Sequence, residues 1–205
     1  MIKGTINGVM AGILIALGGS VFLACENRVV GAVLFTVALL CICYKGYGLF
    51  TGKVGFLPES HDKAGWTVVL TALLGNLIAT ALCGWAVRAG LPALGEVAAT
   101  ICESKLTQVW YQTAIRGVFC GILMYLAVSI YRDHKSIAAI LFCVPVFILS
   151  GFEHSIADVF YFAAAGVVSL EACGFLWIVI FSNAVGGMLL PLLSKLTKEA
   201  KSDVN

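Results

Sequence analysis

Apolar positions in this 205-residue chain neither alternate nor recur every third or fourth place. They fall in six nearly continuous runs, near 7–25, 30–50, 65–87, 108–131, 136–170 and 172–194, bounded by charged or glycine- and proline-containing segments. A run of about 20 apolar residues is the length a helix needs to cross a bilayer. The fifth run, roughly 35 residues, is too long for one crossing. Its middle, Gly151-Phe152-Glu153-His154-Ser155, is polar and marked by glycine, and this predicts two half-helices meeting inside the membrane. Backbone opened at that depth survives only where protein or a watery cavity satisfies it. Ionisable groups there mark a permeation or proton path. A second interruption, Tyr44-Lys45-Gly46-Tyr47-Gly48-Leu49-Phe50-Thr51-Gly52, follows the second run; its glycines permit a non-helical path and the Thr51 hydroxyl is suited to satisfy freed backbone.

Composition strengthens this reading. The chain is 60% hydrophobic and 12% charged, with a mean hydropathy of +1.00, more than a soluble domain of this size requires and typical of an integral membrane protein. One transport domain covers 1–205, with residues 195–205 as a tail. The first run follows a single lysine and lacks a small-residue cleavage site, so it reads as a span and not as a cleaved signal. With the N-terminus inside, Lys3, Lys53, Lys63, Arg132, Lys135, Lys195, Lys198 and Lys201 share one side, against Arg28, Arg88 and Lys105 opposite. Basic residues favour the cytoplasmic face, which puts both termini in the cytoplasm and the protein in the cell (inner) membrane. A net charge of +2 is too small and scattered for a nucleic-acid partner. Most of the eight cysteines lie inside expected spans and read as small packing residues. No spacing suits a metal, and no cofactor is implied. His61 and His134 fall in expected cytoplasmic loops. Trp66, Trp85, Trp110 and Trp177 read as interfacial or packing aromatics.

The two halves echo each other. Gly75-Asn76 in the third run and Ser182-Asn183 in the sixth each set a small residue and an asparagine in apolar sequence, with Thr51 standing 25 residues before Asn76 and His154 standing 29 before Asn183. Three elements per half is an odd number, so a duplicated half must be inverted across the membrane, and such repeats with broken helices place a pathway at their pseudo-twofold axis. The expected fold is all-α: six transmembrane elements in two inverted three-helix repeats, about 7–88 and 108–194, with the second and fifth helices broken in the aquaporin manner.

The residues of both interruptions resemble the formate and nitrite transporter family. Gly151 to Ala157, GFEHSIA, matches that family's signature around its central pore histidine over seven consecutive residues. Leu49-Phe50-Thr51 resembles its gating loop, with Thr51 as the pore threonine. Phe147 stands where one constriction phenylalanine is expected, and Phe35 and Leu39 stand where the other constriction is. Lys105 fits the vestibule lysine, and Asn76 and Asn183 fit the two helix asparagines. The resemblance spans essentially the whole chain and implies a homopentamer with one pore per subunit. Three departures stand out: Gly121 and Asp158, each where the family commonly has asparagine, and a short Gly52–Gly65 segment.

The chemistry expected of these residues is anion passage. A bare anion in low dielectric costs tens of kcal/mol in the Born limit, whereas protonating a carboxylate of pKa about 4 at pH 7 costs about 4 kcal/mol. Lys105 is expected to draw in a small monovalent anion, and Thr51 and the loop backbone to bond it. His154 is expected to donate or relay a proton, or only to orient the anion while water supplies the proton. Glu153 is expected to face away and hold the broken backbone. Formate is the first choice of substrate, with nitrite and hydrosulfide as alternatives. An aquaporin-like channel lacks support because paired Asn-Pro-Ala motifs are absent, and an intramembrane enzyme because neither a Gly-x-Ser-x-Gly elbow nor a His-Glu-x-x-His motif accompanies the histidine.

Overall fold

The computed structural model describes residues 1–60 and 63–202, with side chains to residue 197; His61 lies outside this range, as do the side chains of Lys198 and Lys201. The described residues are helical nearly throughout. In chain order the helices are α1 (Ile2–Ala24), α2 (Arg28–Lys45), α3 (Phe50–Lys53), a 3-10 turn (Val54–Phe56), α4 (Leu57–Ser60), α5 (Lys63–Gly90), α6 (Pro92–Leu106), α7 (Trp110–His134), α8 (Ala138–Leu149), α9 (Ser155–Ala165) and α10 (Leu170–Ser202). Five of them, α1, α2, α5, α7 and α10, are long and apolar enough to cross a membrane. The fifth apolar run is two short helices, α8 and α9, as the polar centre of that run predicts.

Burial is inverted relative to a soluble bundle. On α5, Leu70, Leu74, Ile78 and Leu82 form an exposed stripe at four-residue spacing, while Asn76 and Thr80 are fully buried. An apolar exterior over a polar-seamed interior suits a bilayer, because side chains that need hydrogen bonds must find them within the protein. α1 packs chiefly on α5, and α7 on α10. Both contacts depend on glycine. A Cβ at Gly75 would lie 2.7 Å from Val9 N, and one at Gly121 would lie 2.8 Å from Gly187 N. Close backbone approach of this kind stabilises helix pairs in lipid through packing. It also accounts for Gly121, since an asparagine there would strike the backbone of α10.

The two breaks share one construction. α2 ends at Gly46 (φ 70°) and α8 is followed by Gly151 (φ 67°). Tyr47 N–H then bonds Ile42 O at 3.0 Å, and Phe152 N–H bonds Phe147 O at 2.9 Å, the glycine-dependent closure that satisfies final helix carbonyls. Three residues separate each glycine from the next helix, the third of them being its N-cap, Leu49 or His154. The position matching His154 is therefore Leu49, two residues before the Thr51 on which the sequence echo is anchored. α6 went unforeseen: its glutamates and Lys105 dilute the apolar pattern, and Pro92 at its first turn was the available signal.

Candidate functional site

Asn76 and Asn183 tie the breaks to the spans. Asn76 Oδ1 accepts Phe50 N–H at 2.8 Å, and its Nδ2 donates to Gly8 O and Gly48 O at 2.8 and 2.9 Å. Asn183 Oδ1 accepts Ser155 N–H at 2.9 Å, and its Nδ2 donates to Gly117 O and Glu153 O, both at 2.8 Å. Each amide thus spends all three contacts on main chain. Both asparagines are 0% exposed and line neither cavity; they brace the two breaks and face neither opening.

Between the two breaks lies the pair the sequence singled out. His154 Nε2 and Thr51 Oγ1 are 2.9 Å apart, joined across 103 residues of chain. His154 is also the N-cap of α9, its Nδ1 accepting Ala157 N–H at 3.2 Å. A nitrogen that accepts from a backbone amide carries no proton, so the neutral ring has its hydrogen on Nε2 and donates it to Thr51. The tautomer follows from the network. Phe147 stacks on the imidazole, with centroids 5.5 Å apart and planes at 21°, and Phe35 meets Phe147 edge-on at 6.4 Å.

A cavity opens on each side of this pair, and no residue lines both. The first, about 290 Å³, is lined by Phe35, Phe147, His154, Lys105, Glu153 and Asp158 among others. The second, about 340 Å³, is lined by Leu39, Leu49, Lys53, Arg132 and Lys135 among others. Phe35 and Leu39, expected at one constriction, therefore part company: Phe35 closes the first cavity with Phe147, and Leu39 the second with Leu49. They lie four residues apart on α2, about one helical turn, and that rise carries them to opposite sides of the histidine. Phe50 is buried, lines neither cavity and donates its N–H to Asn76.

Lys105 and Glu153 differ from the expectation. The Glu153 carboxylate does not hold the broken backbone; it faces the first cavity, where Oε2 pairs with Lys105 and Oε1 accepts Gln108 Nε2 at 2.7 Å. What ties the Glu153 backbone is Asn183 at its carbonyl and Arg116 O, 3.4 Å from its N–H. The Lys105 ammonium also reaches Asp158 Oδ1 at 3.0 Å. Its charge is therefore shared between two carboxylates. The cations left without a carboxylate on this cavity are Arg28, which is exposed, and Arg116, which donates to Gly151 O at 3.2 Å. Arg116, Gln108 and Tyr161 also line this cavity, outside the residues that the sequence motifs point to. Arg116 was legible as a charge inside a span, but α6, which delivers Gln108 beside Glu153, was not.

Comparison with known proteins settles the kinship of this arrangement. The family model for the formate/nitrite transporter matches residues 1–196. The chain belongs to the formate/nitrite transporter family. Among curated relatives, an uncharacterized transporter, YwcJ of Bacillus subtilis, is 30% identical over 79% of this chain and 73% of its own length. The nitrite transporter NirC of Escherichia coli is 29% identical over 77% of this chain and 66% of its own, so the matched segment is just under two thirds of that relative. Among solved structures, an FNT family ion channel superposes with a TM-score of 0.85 at 23% identity, covering 96% of this chain and 90% of that one. A pentameric formate channel with formate bound superposes at 0.74 and 22%, covering 97% of each. At these identities the superpositions establish the fold.

Proposed function

We propose that this family member is a transmembrane channel or transporter for small monovalent anions of weak acids, formate first, with nitrite or hydrosulfide as the alternatives. The observation that carries the reading is the His154–Thr51 pair, set between two cavities and walled by Phe35 and Phe147 on one side and Leu39 and Leu49 on the other. Phenyl and isobutyl walls offer nothing in exchange for an anion's hydration shell, so a charged solute stops there. A solute that gains a proton passes.

His154 Nε2–H is the donor presented to the solute. The positive end of the 11-residue α9 lies at the same point, and aligned peptide dipoles favour negative charge there. Because Nδ1 is occupied by Ala157 N–H, giving up the Nε2 proton would leave an imidazolate. The geometry therefore favours His154 as the group that orients the solute, the proton reaching it by way of the cavities. Thr51, its present partner, bonds the solute in exchange.

The same reading makes α8 and α9 together the sixth crossing and the halves α1–α5 and α7–α10 inverted repeats; the matched breaks at Gly46 and Gly151 support it. Lys53, Arg132 and Lys135 line the second cavity, which the distribution of basic residues assigns to the cytoplasm, with both termini. The pentamer rests on kinship. In proteoliposomes, isotopically labelled formate should enter down its gradient and faster as pH falls. His154→Phe should abolish both the flux and its pH dependence. Glycerol flux without anion flux would replace this reading with a neutral-solute channel.

A further inference from the structure

Asp158 stands out in the first cavity. Its carboxylate is 1% exposed and lines the space beside His154. Oδ1 rests on Lys105 at 3.0 Å, while Oδ2 has no hydrogen-bond partner among the described residues. Glu153, by contrast, has both oxygens occupied, by Lys105 and Gln108. One ammonium thus serves two buried carboxylates, and with both ionised the cluster carries one net negative charge. Arg28 and Arg116 line the same cavity. An anion brought in by those guanidinium groups meets an opposing charge in the same cavity as the histidine.

We infer that Asp158 is a specificity-determining residue, which lets an anion pass the first cavity only together with a proton and so selects the conjugate bases of weak acids over permanently charged anions. The inference rests on the transport reading above. The proton comes from bulk water and forms an O–H bond at Oδ2, and the cluster becomes neutral. The entering anion takes that proton, the Oδ2–H bond breaks as the acid's own O–H or S–H bond forms, and the neutral acid moves on while Asp158 returns to the carboxylate. Nitrate, the anion of a strong acid, does not retain the proton and is turned back.

The groups that face Asp158 are few. α6 contributes Lys105 and Cys102, the break contributes Glu153 and His154, α7 contributes Cys120, and Tyr161 follows on α9 itself. α5 brings a charge to α9 only at the far end, where Arg88 bonds Ala165 O. Among the described residues, α1, α3 and α10 place no charged side chain on this cavity. Glu153 is pinned by two donors, so the free lone pair on Asp158 Oδ2 is the natural seat for the proton.

The test uses full-length protein in proteoliposomes loaded with a pH-sensitive dye, with formate or nitrate supplied outside. Unaltered protein should carry about one proton per formate and conduct nitrate poorly. Asp158→Asn keeps the shape and removes the charge. A unit charge about 7 to 10 Å from the anion, at an effective dielectric near 20, alters its occupancy about 15- to 50-fold. The nitrate-to-formate flux ratio should rise by that factor, and formate entry should lose much of its pH dependence. A merely structural role would lower both fluxes together, and an unchanged ratio overturns the inference. So does unaltered protein that conducts nitrate as readily as formate, a measurement that stands even if the variant does not fold. Protein that passes neither anion removes the transport reading itself.

Discussion

Replacing Asn183 with alanine measures how much of the fold hangs on one amide. The substitution removes three hydrogen bonds and leaves Ser155 N–H, Gly117 O and Glu153 O without that partner in a fully buried setting. Gly117 O retains its place in the α7 helix, so its loss is the smallest. An unsatisfied buried group costs about 1 to 3 kcal/mol, whereas side-chain hydrogen bonds measured inside membrane proteins average about 0.6 and reach about 1.7 kcal/mol. Together these place the cost at about 3 to 5 kcal/mol. At about 2 to 4 °C per kcal/mol for a domain of this size, the unfolding temperature in detergent should fall by roughly 6 to 20 °C. Asn76→Ala should fall by a comparable amount, because its amide makes the same three contacts at the other break. The assay is tryptophan fluorescence or size-exclusion melting on both variants. A loss under about 1 kcal/mol at either site would show that the breaks are held by packing and that the asparagines do not pin them.

Further expectations follow from neighbouring contacts. Thr51→Val is nearly isosteric but leaves His154 Nε2–H with no acceptor, so formate flux should fall about tenfold with little change in assembly, as checked by labelled-formate uptake; unchanged uptake would remove Thr51 from the pathway. Phe147→Ala opens the wall over the imidazole. It should cost about 3 to 5 kcal/mol of stability while admitting larger carboxylates such as lactate, and retained exclusion would place the barrier elsewhere. Gly121→Asn should impair folding because a Cβ there already meets Gly187 N at 2.8 Å; a well-folded variant would mean that α7 and α10 separate easily. Under the transport reading, formate entry should rise as external pH falls, approaching tenfold per unit as the cost of protonation drops by about 1.36 kcal/mol. A flat profile would point to passage of the bare anion.

The sequence by itself determined the lipid setting, the number of apolar runs and the location of both breaks. Each of these is a local property: about 20 apolar residues demand a bilayer or a core, and Gly46 and Gly151 stand where a left-handed residue must close a helix. His154 and Thr51 were also legible, as polar groups whose presence in apolar sequence needed a reason. Tertiary structure decided everything that depends on which surfaces meet. It put Phe35 and Leu39 on opposite sides of the histidine, since one helical turn decides which cavity a side chain faces. It turned Glu153 from a backbone brace into a partner of Lys105, and it drew Lys105 and Asp158, 53 positions apart in the chain, to within 3.0 Å. Sequence spacing carries no record of such a distance, because α6 reaches α9 only once the breaks have bent the chain back into the bundle.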